Sequence, residues 1–160
     1  MSVSFYGNEL INIAIGIESS GIAFYELMAR STKNRAARDI FQHLAGMERN
    51  HIEIFHNMLS EIEKEEHPEV YAGDYAAFLQ ALADTAVFTP AKGRGDGAMG
   101  VETDIAAVNI GIGAEKDSIL FYLEMKEKMP AEQRPMIESV INEEKLHLRQ
   151  LVEFKKKLKS

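Results

Sequence analysis

Asn12–Glu18 reads NIAIGIE, and Asn109–Glu115 reads NIGIGAE. Each apolar run ends on a glutamate, and each glutamate is followed at the same spacing by a Phe-Tyr pair: Glu18 by Phe24-Tyr25, Glu115 by Phe121-Tyr122. In the first copy Ile11, Ala14, Ile15, Ile22 and Tyr25 recur at helical spacing, not in alternation. A carboxylate written twice into an apolar run needs a compensating partner, because an isolated buried charge is strongly unfavourable.

That partner lies downstream in both copies. MERNH (Met47–His51) contains Glu48 and His51; EEKLH (Glu143–His147) contains Glu144 and His147. Residues separated by three positions share a helix face. The repeat therefore spans whole hairpins, with Glu on the first helix and Glu-x-x-His on the second. Glu53 and His56 fit the same spacing but differ in phase. Glu48 and His51 share a face with Leu44, Met47, Phe55 and Leu59. Glu53 and His56 stand beside Arg49, Asn50, Asn57 and Ser60, so they are assigned to solvent, as are His43 and His67.

The apolar periodicity predicts four long helices. They run from about Asn8 to Arg30, Asn34 to Glu63, Glu102 to Lys128, and from Glu132 or Pro135 into the basic tail. The last carries Ile137, Val140, Ile141, Leu148, Leu151 and Phe154 on one face, and Pro135 suits a first turn. Short links make antiparallel hairpins of 8–63 and 101–158. Between them, a crossover over 64–100 carries a short helix, YAAFLQALADTAVF, capped by Asp74. The Gly-rich TPAKGRGDGAMG that follows reads as loop, with no preceding strand and no GxxxxGK[ST] pattern for phosphate. No β period is present. Two hairpins joined by one long crossover give an all-α, ferritin-like four-helix bundle, a single domain over 1–160.

Composition narrows the function. The chain has 160 residues and no cysteine, which excludes disulfides, zinc-thiolate sites, iron–sulfur clusters and thiol catalysis within it. The net charge of −7 argues against a nucleic-acid partner. The basic residues Lys155, Lys156, Lys157 and Lys159 suit a solvated helix C-terminus. MSVSFYGNEL lacks the pattern of a secretory signal, and no uninterrupted apolar run reaches the ~18 residues of a membrane span. A cytoplasmic location without membrane contact is expected.

Four Glu and two His in one bundle core demand compensation. Four like charges in low dielectric would take up protons or unfold the bundle. Two divalent cations would balance them, with carboxylates bridging and one imidazole on each ion. Oxygen-rich, thiolate-free coordination suits iron or manganese.

With these motifs in place, the chain resembles the ferritin-like di-iron proteins, in particular the helical domain of the rubrerythrin family, over nearly its whole length. The resemblance implies that Glu18, Glu48, His51, Glu115, Glu144 and His147 hold two irons in an Fe–O–Fe type centre, with Glu48 and Glu144 bridging. It also implies that Tyr25 and Tyr122 hydrogen bond to ligating carboxylates and line the pocket. Gly16 and Gly113, just before each first Glu, would let helices approach closely. The sequence departs from the family at Ser118, where rubrerythrins usually carry an additional Glu used in peroxide chemistry. It also lacks the four cysteines of a rubredoxin domain. Bacterioferritin shares the six ligands, but its haem-binding Met corresponds to Arg49, so no haem is expected. The implied activity is iron-dependent reduction of O2 or H2O2, of peroxidase or ferroxidase type, in a homodimer or larger assembly. An external donor, such as a rubredoxin-like protein, would supply electrons. An iron-storage shell, a manganese catalase-like or oxygenase-like enzyme, and a metal-free helical interaction module stay open as alternatives.

Overall fold

The computed structural model describes residues 4–64, 70–85 and 103–160. Among the described residues five helices carry the fold: α1 (Gly7–Ser31), α2 (Arg35–Ile62), α3 (Asp74–Thr85), α4 (Asp104–Lys128) and α5 (Arg134–Lys159). The four long helices match the expected ones to within a few residues. Local chemistry sets their starts. Asn34 accepts from the Ala37 N–H at 3.2 Å to open α2, and Thr103 accepts from the Ala106 N–H at 3.1 Å to open α4. α5 has no side-chain cap and carries Pro135 in its first turn. Its preceding residue, Gln133, is buried and donates instead to the Met58 carbonyl at 3.1 Å, tying the start of α5 to α2.

The crossover departs from expectation in two ways. Asp74 lies inside α3, and the Gly73 carbonyl accepts the Ala77 N–H at 3.0 Å in the capping position. Gly73 has φ 72°, a left-handed value that glycine adopts without a Cβ penalty. A short antiparallel ribbon also forms, pairing β1 (Ser4–Tyr6) with β2 (Val70–Ala72) in the register Ser4↔Ala72, Phe5↔Tyr71, Tyr6↔Val70. Three-residue strands are too short to write an alternation into the sequence. His67, the end of the expected short helix beyond Thr85 and the Gly-rich loop lie outside the described residues.

α1 pairs with α2 and α4 with α5, and the two hairpins meet through α1 against α4 and α2 against α5. α3 lies along α4, where the Tyr75 hydroxyl donates to the Glu124 carbonyl at 2.7 Å. Only Ala76 and Leu79 of α3 are buried, and both join the core cluster that holds Phe121, Tyr122 and Met125. The apolar core is divided. One cluster gathers Leu10, Ile11, Phe55, Met58, Tyr122, Met125, Ile137 and Ile141, with α3 against it. The other gathers Phe24, Tyr25, Met28, Phe41, Leu44, Val108 and Leu151. The buried polar side chains of Glu18, Glu48, His51, Glu115, Glu144 and His147 belong to neither cluster.

α1 is long and apolar enough to cross a membrane by length and composition, with a window of mean hydropathy 1.2 that is 50% buried in the bundle. Its charged residues break any continuous run without lowering the average enough, which is why the uninterrupted-run criterion passes over it. The same helix buries Leu10, Ile11, Ala14, Phe24 and Tyr25 among its neighbours.

Tyr25 and Leu151 approach Gly111 closely, and Gly16 and Gly113 are half-buried. A Cβ on Gly111 would stand 3.1 Å from both Tyr25 Oη and Leu151 Cδ1, while one on Gly46 would meet nothing within 4 Å. Gly46→Ala should therefore stabilise the chain by about 0.5–1 kcal/mol through helix propensity. Gly111→Ala should destabilise it by about 1–3 kcal/mol through overpacking against Tyr25. Urea unfolding of the two variants measures both signs; equal effects would contradict a close contact at Gly111.

Candidate metal centre

Each of the four long helices delivers part of the polar cluster. α1 supplies Glu18, α4 supplies Glu115, α2 supplies Glu48 and His51, and α5 supplies Glu144 and His147. All six are at most 4% exposed. The repeat in sequence becomes a near-symmetry in space. His51 Nδ1 lies 3.1 Å from Glu48, 3.4 Å from Glu18 and 3.5 Å from Glu144. His147 Nδ1 lies 3.1 Å from Glu144, 3.7 Å from Glu48 and 3.8 Å from Glu115. The two rings are stacked at 5.7 Å.

Two donor sets result: Glu18, Glu48, His51 and Glu144 form one, and Glu48, Glu115, Glu144 and His147 the other. Within each set one ligand atom per residue lies within 4.8 Å of all the others. Glu48 and Glu144 are common to both.

The tyrosines cross between hairpins. Tyr25 of α1 donates to Glu115 of α4 at 2.7 Å, and Tyr122 of α4 donates to Glu18 of α1 through a short hydrogen bond. Each phenol thus holds the carboxylate of the other repeat, and each ring is fully buried in one of the two apolar clusters. Burial, and then the adjacent Glu115 or Glu18, push both hydroxyls well above the ordinary tyrosine value, so they remain donors.

The electrostatics show a surplus of negative charge. Burial pushes Glu48 well above the usual carboxylate range, and the charges of Glu18 and Glu144 push it further. Burial, Glu115 and Glu18 do the same to Glu144. Burial also opposes the charge on Glu18, but hydrogen bonds with Glu48, His51 and Tyr122 outweigh it and hold this carboxyl below its ordinary value. For His51, burial disfavours the cation, yet contacts with Glu144, Glu18 and Glu48 win and raise its pKa. Protons thus take the place of cations in the metal-free cluster. Two divalent ions would neutralise four carboxylates, so the donor set fits a dinuclear centre.

The remaining candidates lie outside the cluster: Glu53, His56 and His43 are all exposed. His43 nevertheless sets its ring edge-on to His147 at 6.4 Å. Arg49 is exposed and pairs with Glu26. Ser118 is buried at 6% exposure on the face that carries Glu115. One residue escapes a reading by motif alone. Glu143 accepts or shares a proton with His51 Nε2 at 2.9 Å, although its side chain is 35% exposed. The adjacent glutamates in EEKLH were the available signal, since a residue one position from Glu144 is turned toward the neighbouring helix.

A family model described as Rubrerythrin matches residues 9–155. Among solved structures, the chain is similar to a candidate ferritin-like diiron-carboxylate protein from Thermotoga maritima, with 24% identity and a TM-score of 0.70 over 96% of this chain and 97% of that one. At that identity the likeness establishes the shared fold. Among curated proteins, none matches the chain.

The raised carboxyls give a pH dependence of definite sign. Stability contributed by Glu48 and Glu144 is fully present below their ordinary value of 4.5 and is lost as pH rises through their folded values. His51 contributes in the same sense, from its ordinary 6.5 upward. Glu18 acts oppositely, its contribution being lost as pH falls below 4.5. The metal-free chain should melt at a higher temperature near about pH 5.5 than near about pH 8.5, and Glu48→Gln with Glu144→Gln should flatten that difference. A melting temperature that rises over this range would contradict the surplus-charge description.

Proposed function

The chain belongs to the rubrerythrin family, and on that premise we propose that it is a cytoplasmic, dinuclear non-haem iron protein that reduces O2 or hydrogen peroxide. One observation carries this reading: two four-residue donor sets, each with one imidazole, share Glu48 and Glu144. When bound, two ferrous ions would supply the reducing electrons and orient the oxidant. Manganese would fit the same donors.

The chain's own residues have distinct tasks in this reading. Glu48 and Glu144, common to both donor sets, would hold both ions. Glu18 and His51 complete one coordination set; Glu115 and His147 complete the other. Tyr25 and Tyr122 hold Glu115 and Glu18 in place and keep their own protons. The two apolar clusters exclude water on either side, which strengthens every electrostatic interaction within the site. Ser118 stands where the family usually has a further carboxylate, which favours ferroxidase-type chemistry with these six ligands alone. In this reading electrons would arrive from a donor outside these 160 residues, such as a rubredoxin-like protein. Assembly as a homodimer or larger is part of the same reading; α4 offers Leu120 and Leu123 to solvent, 44% and 38% exposed.

Aerobic addition of Fe(II) to metal-free protein, followed by desalting, should leave about two irons per chain. Tens of irons per chain would mean a storage shell, and none would overturn the reading. Glu144→Ala should abolish retention of both ions, whereas Glu53→Ala with His56→Ala should leave iron content unchanged. Unaltered iron in the first variant would refute bridging, and loss in the second would place the site on the wrong face.

A further inference from the structure

The two coordination sets come from a sequence repeat, yet one member has no counterpart. His51 turns Nδ1 to the carboxylates and Nε2 to Glu143 Oε2 at 2.9 Å. His147 also turns Nδ1 to the carboxylates, but its buried Nε2 has no hydrogen-bond partner among the described residues. The sequence gives the reason. Glu143 precedes Glu144 in α5, and the equivalent residue before Glu48 in α2 is Met47. A thioether is a weak acceptor. The exposed His43 ring lies edge-on at 6.4 Å without hydrogen bonding to His147 Nε2. Gln150, one turn along α5, has a buried Oε1 that is itself unpartnered.

We propose that Glu143 is a positioning residue that makes the two metal subsites unequal: the His51 set binds the first divalent cation tightly, and the His147 set binds the second weakly and exchanges it. The inference rests on the dinuclear reading above and adds an order to it. An imidazole that ligates through Nδ1 must carry its proton on Nε2. An acceptor at Nε2 fixes that tautomer, orients the ring and makes Nδ1 a better donor to the metal. Glu143 provides this to His51. His147 must leave an N–H buried without an acceptor to present the same tautomer. The competing tautomer, with the proton on Nδ1, is satisfied at 3.1 Å in both rings, by Glu48 for His51 and by Glu144 for His147, so the difference between the subsites lies at Nε2.

Calorimetric titration of metal-free protein with Co(II) tests this without any catalytic readout. The wild-type chain should show two steps of one equivalent each, separated at least about tenfold. Glu143→Ala should weaken the tighter step about 10- to 100-fold and leave the weaker one in place. Glu143→Gln, which keeps a neutral acceptor, should fall between. Met47→Glu supplies the missing acceptor to His147 and should tighten the weaker step, which tests the idea even if Glu143→Ala fails to fold. Far-UV circular dichroism of each metal-free variant separates these effects from loss of helix. Two equal wild-type steps, or a Glu143 effect on both steps or neither, would overturn the inference while leaving a dinuclear site intact. No uptake of Co(II) would overturn both.

Discussion

Four carboxylates share one layer of this bundle with only two imidazoles beside them, and everything else in the structure accommodates that charge. Burial in low dielectric disfavours every one of the charges, and each disfavours the next. The metal-free chain answers with protons: Glu48 and Glu144 hold theirs well above the usual carboxylate range, and His51 gains one. A layer composed this way is poor as a structural element, since a well-packed apolar layer of equal volume would be at least as stable. It is a good receptor for two divalent cations.

The rest of the fold keeps that layer in place. Dividing the core into two clusters lets each end of the bundle supply hydrophobic stability while the middle stays polar. Tyr25 and Tyr122 connect the two regimes, each with its ring in an apolar cluster and its hydroxyl on a carboxylate of the opposite hairpin. Gly111 lets α4 come close enough for the first of these contacts. The hairpins are therefore joined by hydrogen bonds as well as by packing. Distortion at either tyrosine would reach the cluster directly.

Much of this arrangement could be read from the sequence because the repeat fixes spacing and helix phase fixes direction. Glu18, Glu115 and the two Glu-x-x-His pairs had to share an interior, and the phase of Glu53 and His56 sent them outward. Other features carried no such signal. The β1–β2 ribbon spans too few residues to show a period. The capping role of Gly73 depends on a backbone angle. The close approach of Tyr25 and Leu151 to Gly111 depends on how the helices pack, which no local pattern records. Glu143 was hidden for a different reason: a half-exposed carboxylate on a polar helix looks like solvated surface until the ring it faces is known. The broken repeat at Met47 is visible in the sequence, but it acquires meaning only once His147 Nε2 is seen without a partner.

Anomalous diffraction from crystals grown with Mn(II) or Fe(II) tests the central claim most directly. Two peaks should appear within the bundle, one among Glu18, Glu48, Glu144 and His51, the other among Glu48, Glu115, Glu144 and His147. Peaks confined to the surface, or none at all while the six side chains keep their places, would mean that the buried carboxylates are balanced by protons alone, and that the cluster is not a metal centre.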